Sequence, residues 1–315
     1  MSIISDQLEH TLDKYENSDI DGKFYNGKVR DNYIFDDNIL MITSDRVSAF
    51  DHVLGTIPFK GQILTEIAEF WFDKTKDIVP NHIISHPDPQ VLLAKKAKTL
   101  PVEVIVRQYI TGSLWREYSE GVNGQYGFMI SDDLVKNQKF DYPILTPSTK
   151  AEYGLHDEPI SREKIVSSLV DEEIYKKAED YAMQLFNEGQ KWANEQGLIL
   201  VDTKYEFGIY DGELIVIDEI HTPDSSRYWI KDEYQKRFEK NINQKMLDKE
   251  NIRQWLIERG FKGEGVPPKL SDDIRVYLSE KYIELYKRLT GKEFVPSTGD
   301  VKSRITNSLK SASLI

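Results

Sequence analysis

Cysteine is absent from the chain. That excludes a disulfide framework and any thiolate metal site. No apolar run approaches the ~20 residues needed to span a bilayer. Excess positive charge is missing too. Lys and Arg together number 41 against 53 Asp and Glu, for a formal net charge of −12. A phosphate backbone is bound by clustered cations, so nucleic acid is not an expected partner, whereas small phosphorylated ligands held by a few local donors remain open. There is no internal repeat, no low-complexity segment and no P-loop of the form G-x-x-x-x-G-K-S/T. The first fifteen residues carry Asp6, Glu9 and Asp13 and lack the basic start and apolar run of a signal peptide. These absences point to a cytoplasmic protein without a membrane partner. With 315 residues, 39% hydrophobic and 30% charged, the composition is globular and the length suits about two lobes.

The first hundred residues read mainly as strands and turns. Lys23–Tyr25 leads into Asn26-Gly27, then come Val29–Phe35, a polar turn at Asp36-Asp37-Asn38, and Ile39–Thr43. Ile67, Phe70 and Trp71 give Thr65–Lys74 helical spacing, and Val102–Arg107 is a β-branched run with the character of a buried strand. Ser161–Gly197 carries a long helical pattern with Gly197 as its stop. Two strands follow, Leu198–Asp202 and Lys204–Tyr210, and Asp211-Gly212 turns the chain into Glu213–Ile220. The tail is helical around Ile252–Arg259 and again from Ser271 through Leu289. The expectation is an α+β, two-lobed enzyme with a helical C-terminal region. Its expected divisions are a strand-rich lobe at 1–106, a central α+β lobe at 107–230, and helices at 231–315 packed on the central lobe.

Six stretches carry chemistry. Gly27-Lys28-Val29-Arg30-Asp31 combines a glycine that admits a close ligand with two cations suited to phosphate, although a turn with solvated cations has the same composition. Thr43 to Asp51 crowds hydroxyls, carboxylates and an arginine at a strand end, which suits a small zwitterion or a polar turn. Arg107 with Thr111-Gly112-Ser113 before the helix Leu114–Tyr118 offers a guanidinium, a hydroxyl and helix-start amides to a phosphate, or an ordinary cap. Thr146–Glu152 is a proline-fixed loop around Lys150, with a structural role favoured on spacing alone. Asp202–Gly208 and Asp218-Glu219 put carboxylates on an otherwise apolar hairpin, where they need cations or a metal. Thr222–Trp229 follows directly and adds Ser225 and Arg227.

Taken in order, GKVRD, SDRVSAFD, VEVIVR, TGS, TPSTKAE, DTKYEFG and DEIHTPDSSRYW resemble the SAICAR synthetase family in its longer, yeast-like form. The resemblance implies two α+β lobes, related to those of ATP-grasp enzymes and protein kinases, with the nucleotide between them. It implies ATP-dependent joining of L-aspartate to carboxyaminoimidazole ribonucleotide (CAIR), with ATP and magnesium as cofactors. By position in these motifs, Gly27, Lys28, Arg30 and Glu103 would serve the nucleotide. Glu206 and Asp218 would hold magnesium. Lys204, Asp45 and Arg46 would be catalytic. Ser48, Arg107, Ser113, Asp224, Ser225 and Arg227 would bind substrate. A monomer or small homo-oligomer is expected. The chain departs from the family pattern at Phe59, Gln108 and His221, which puts the shape of the substrate loops in question. A small-molecule kinase is the main rival reading, and a nucleotide sensor without turnover the second.

Register offers a geometric expectation. A two-residue Asp211-Gly212 loop would oppose Glu206 to Ile217 and turn Asp218 to the other face. A three-residue loop would oppose Glu206 to Asp218, and would gather Phe207, Ile209, Ile215 and Ile217 on one apolar face. A shared metal requires the second arrangement, which is therefore predicted.

Overall fold

The computed structural model describes residues 2–50, 52–150 and 157–315. Asp51, Ala151 and Glu152, which belong to two of the motifs above, lie outside them. A short helix α1 (Ile3–Asp6) precedes five antiparallel strands: β1 (Lys23–Asn26), β2 (Arg30–Ile34), β3 (Asn38–Thr43), and, further along, β6 (Ile83–Asp88) and β7 (Val91–Lys95). Their spatial order is β1-β2-β3-β7-β6. Between β3 and β6 the chain forms the ribbon β4 (Arg46–Ala49) with β5 (His52–Thr56), then helix α2 (Lys60–Lys74). Helix α2 starts five residues before the predicted Thr65, because Lys60, Gly61 and Gln62 are buried polar or small positions that a hydrophobic period does not reveal.

The second sheet is organised by one long strand. After β8 (Lys98–Thr99), β9 (Val102–Tyr109), α3 (Gly112–Ser119), β10 (Lys139–Leu145), β11 (Ser148–Thr149), α4 (Arg162–Ser168) and α5 (Glu172–Glu195) comes β12 (Leu198–Tyr210). The two strands expected there are a single one of 13 residues, with a register shift between Leu200 and Asp202. β12 pairs with β9, with β13 (Glu213–Ile217), with β14 (Ser226–Ile230) and with β8. Asp171 caps α5, its carboxylate accepting from the amides of Glu173 and Ile174. The helix buries Tyr175, Ala178, Ala182, Leu185 and Phe186, at helical spacing, in the main core that also holds Val104, Val106, Tyr205 and Phe207.

The predicted hairpin register is not the one found. Tyr210 pairs with Glu213 and Glu206 with Ile217, so the loop is the strict pair Asp211-Gly212. Both loop residues have positive φ, 50° and 79°, the conformation that an Asp-Gly pair favours between twisted strands. Leu214 and Val216 join Phe207 in the main core, while Ile215 lies opposite Gly208 on the other face and is buried too. The apolar pattern of β13 therefore could not discriminate between registers. Asp218, at φ 67°, has already left the strand.

Helices α6 (Lys231–Glu239), α7 (Glu250–Glu258), α8 (Asp272–Thr290) and α9 (Val301–Ser311) complete the described chain. Helix α8 packs against α2. Helix α9 places Val301, Ile305 and Leu309 against Tyr33, Leu40, Ile42 and Val91 of the first sheet. The C-terminal helices thus lean on the first lobe as well as the central one. The expected boundary at 106/107 falls inside β9. No helix among the described residues is long and apolar enough to cross a membrane.

Candidate active site

Strand alternation builds the site. On β12, Val201, Thr203, Tyr205 and Phe207 alternate with Asp202, Lys204 and Glu206, so the second set shares one face. On β9, Glu103, Ile105 and Arg107 alternate in the same way with the buried Val102, Val104 and Val106. Asp202 pairs with Arg107 of β9 on one side and with Arg227 of β14 on the other. The three side chains form a row across three strands. Both guanidinium groups donate to Oδ2 of Asp202, at 3.0 Å from Arg107 and 2.5 Å from Arg227. Arg107 also donates to Oγ1 of Thr146 at 2.8 Å and to Oγ of Ser113 at 3.3 Å. Gly112 has a φ of 60°, and a Cβ there would stand 2.3 Å from Nη2 of Arg227. Only glycine lets that arginine lie across the start of α3.

A cleft of about 210 Å³ opens on this row, lined among others by Arg107, Ser113, Lys204, Asp224, Arg227 and Lys249. A second opening, which shares Ile105, Arg107, Ser113 and Arg253 with it, extends to Lys28, Glu103 and Ser148. At that end Lys204 donates to Glu103 at 2.8 Å and to Glu206 at 2.5 Å, and Lys150 donates to the other oxygen of Glu206. Burial opposes the charge on Lys204, but the Glu206 and Glu103 carboxylates outweigh it and hold the ammonium well above its usual pKa. Burial would likewise raise Glu206, and the two lysines instead bring it down to about 2. Arg30 crosses from the first sheet to Asp218 and Glu219, each at 2.6 Å.

Among the expected catalytic residues, Lys204 is on the cleft and Asp45 and Arg46 are not. Asp45 is 1% exposed and accepts from the amides of Leu12 and Gly61, with burial pushing its carboxyl up to about 6. Arg46 is buried and donates to Asp31 and to the carbonyls of Asp13, Gly27 and Lys28. Together with Ser44, which donates to the carbonyl of Val29 at 2.6 Å, it pins the loop between β1 and β2 from beneath. Arg46 and Ser44 thus shape the glycine loop, while Asp45 is bonded to backbone amides elsewhere. Ser48 is buried, and its hydroxyl accepts from Lys249 at 3.2 Å. Ser225 and Asp224 lie on the cleft wall. Glu206 and Asp218 do not oppose each other, and each is engaged by different cations.

Sequence reasoning missed the entrance to α7. The bridge between Trp229 and Met246 brings Asp248, Lys249, Glu250 and Arg253 back to the cleft. Asp248 accepts from the amides of Tyr228 and Glu250, each at 2.7 Å, and burial lifts its carboxyl to about 7. Burial lowers Lys249. The signal was the helix start Asp248-Lys249-Glu250, whose charges read as an ordinary first turn. Lys60, which donates to Asp224 at 2.9 Å, was missed for a similar reason.

The sequence profile of the family described as SAICAR synthetase matches residues 23–270. The chain belongs to that family. A phosphoribosylaminoimidazole-succinocarboxamide synthase of Bacteroides thetaiotaomicron is 48% identical over 287 residues, covering 89% of this chain and 91% of the relative. One from Legionella pneumophila is 44% identical, covering 92% and 95%. Among solved structures, the SAICAR synthase of Saccharomyces cerevisiae complexed with SAICAR is 35% identical with a TM-score of 0.79, covering 90% of this chain and 99% of that one. A SAICAR synthetase (type 2) in complex with ADP matches at 25% identity and a TM-score of 0.66, covering 87% and 100%. The yeast-like mixed helix-and-sheet fold expected of a SAICAR synthetase is the one observed.

Proposed function

We propose that the chain joins L-aspartate to CAIR with ATP, giving SAICAR, ADP and phosphate. A carboxylate does not react with an amine unaided. The γ-phosphoryl group of ATP passes to a carboxylate oxygen of CAIR and ADP leaves. The aspartate amine then attacks the acyl carbon, loses a proton and expels phosphate. The relatives' names and the SAICAR and ADP complexes support this reaction, and the small-molecule kinase reading gains no support from them.

One observation carries the assignment of ends to this chain: the Arg107–Asp202–Arg227 row and the Lys204–Glu206 pair occupy one face of β12. Asp202 and Glu206 are four residues apart, about 13 Å along a strand, a span that a ribonucleotide can bridge. Arg107, Arg227 and Ser113 hold the 5′-phosphate by charge-assisted hydrogen bonds. Lys204 meets the transferred phosphoryl group, and Lys28 with the glycine loop covers the ATP phosphates. Phosphoryl transfer needs positioning and charge neutralisation more than a protein nucleophile.

Magnesium fits the donor set in a limited way. Among the described residues no three metal-ligating side chains converge. Magnesium, however, is commonly held by one or two carboxylates and otherwise by phosphate oxygens and water. The register found does not oppose the Glu206 and Asp218 carboxylates, but Asp218 follows Ile217, the partner of Glu206, and at φ 67° it has left the strand, so strand alternation does not hold it to the far face. The two carboxylates would supply those ligands, with Lys150 and Lys204 yielding Glu206, and the ion would neutralise phosphate charge. The deciding experiment is an ADP-release assay with CAIR, ATP and L-aspartate, omitting each in turn. ADP release that needs all three, with SAICAR formed, is expected; release indifferent to L-aspartate overturns the ligase reading.

A further inference from the structure

Beyond residue 270, where the family profile ends, the chain still touches a residue of the cleft wall. Tyr282 of α8 is 2% exposed, and its hydroxyl donates to Oδ1 of Asp224 at 3.0 Å. Lys60, at the start of α2 and fully buried, donates to Oδ2 of the same carboxylate at 2.9 Å. Lys249 stands 3.7 Å from that oxygen. Asp224 thus takes donors from α2 and α8 behind it, while it and Lys249 line the cleft beside Ser225 and Arg227. Helix α8 is itself tied to the start of α2, since Ser279 donates to the carbonyl of Pro58 at 2.9 Å.

A buried carboxylate is tolerable when each oxygen has a donor, and the two donors then fix its rotation. Lys60 holds one oxygen. Without a second donor the group turns about its Cβ–Cγ bond, and the oxygen turned away is left buried and unpaired. We propose that Tyr282 is a positioning residue for the ribonucleotide site, its hydroxyl fixing the Asp224 carboxylate so that Asp224 and Lys249 are presented to CAIR. The inference rests on CAIR being the substrate, as proposed above. It makes α8 a working part of the site rather than an appendage to it.

Tyr282→Phe keeps the ring and removes only the donor. The KM for CAIR is expected to rise about tenfold, the effect of losing one hydrogen bond to a charged group. The KM for ATP and kcat should change by less than about twofold. In an Asp224→Asn background the same substitution should add nothing to the loss of CAIR affinity, because Tyr282 acts through that carboxylate. A lowered melting temperature with an unchanged KM for CAIR, or an equal loss in both backgrounds, overturns the proposal. If Tyr282→Phe fails to fold, CAIR titration of Asp224→Asn decides: undiminished affinity there leaves Tyr282 nothing to position. SAICAR formation by the unsubstituted protein is the control. Its absence would sink the ligase reading, whereas an active parent with an unaffected Tyr282→Phe variant sinks this inference alone.

Discussion

At one end of the cleft, Arg107, Asp202 and Arg227 sit in register on three strands of one sheet. At the other, Arg30 crosses from the first sheet to Asp218 and Glu219, while Lys150 and Lys204 converge on Glu206. The first arrangement is complete once the second sheet has formed, because strand pairing alone brings its members together. In the second, Lys204 and Glu206 also share β12, but the Arg30 contacts depend on how the two sheets sit against each other. The difference suits the two tasks proposed for these ends. A substrate phosphate that stays attached through the reaction is served by a preset cradle. A phosphoryl group that moves is served by ion pairs that can exchange partners, so the cations now facing carboxylates are available for phosphate.

The largest effect should come from the end built between sheets. Asp218→Asn is expected to lower kcat by roughly 10²–10³-fold, the scale for removing one group that acts on developing charge. Arg30 keeps Glu219, so the fold should persist by circular dichroism. Near-normal ADP release by the folded variant would remove Asp218 from the transfer site.

Arg107→Ala and Arg227→Ala test the preset row. Each should weaken CAIR binding by roughly ten- to a hundredfold, from about 1.5–3 kcal/mol per charge-assisted contact. ATP affinity should barely move. Calorimetric titrations showing the reverse would assign the row to the nucleotide and collapse the distinction between the two ends.

His221 lies in the segment that joins β13 to β14. It is fully buried, with its Nε2 2.6 Å from the hydroxyl of Tyr205, and burial lowers its pKa to about 3. The unfolded chain protonates this ring near 6.5 and the folded chain only near 3. Between those values unfolding takes up a proton, so its contribution to stability is complete above pH 6.5 and is lost as pH falls. Relative to a His221→Leu variant, the protein should therefore lose about 2 kcal/mol between pH 7 and pH 5. Measuring the difference cancels opposing contributions from the raised carboxyls of Asp45 and Asp248. A difference independent of pH, read from urea unfolding, would show that the ring titrates in the fold as it does in the unfolded chain.

The smallest effect concerns the hairpin tip, far from both ends. Gly212→Ala should cost about 1 kcal/mol, because φ there is 79°. Kinetic constants should not change. A shift in the KM for CAIR would show that the turn sets the geometry of the row after all.

Much of this organisation was legible in the residues. The β-branched run at Val102 and the alternation from Asp202 to Gly208 led to β9 and β12, and the period from Ile174 to Trp192 to α5. Gly197 ends the helical segment with a φ of 69°. The hairpin turn was legible too, yet the register was misjudged. Pairing two carboxylates on one metal outweighed the preference of Asp-Gly for a two-residue loop, and a strand buried on both faces could not correct it. The family resemblance made Asp45 and Arg46 expected catalytic residues. Their role became visible only through the backbone groups of Leu12, Gly61, Gly27 and Lys28 that they bind. Helix α9 was not singled out within the helical region expected at 231–315, because its apolar face is narrow and its partner strands lie some 200 residues or more earlier in the chain.

Local patterns determined which segments are strands, which are helices, and which side chains share a strand face, since those depend on alternation, caps and turns within a few residues. The motif residues taken together also determined the family. Tertiary structure alone decided which charge meets which. That Arg107 and Arg227 share Asp202, that Arg30 reaches Asp218, that Lys249 returns beside Ser48, and that Tyr282 holds Asp224 all follow from contacts between residues 25 to 201 positions apart. Such pairings depend on the packing of whole sheets and helices, and no local periodicity encodes them.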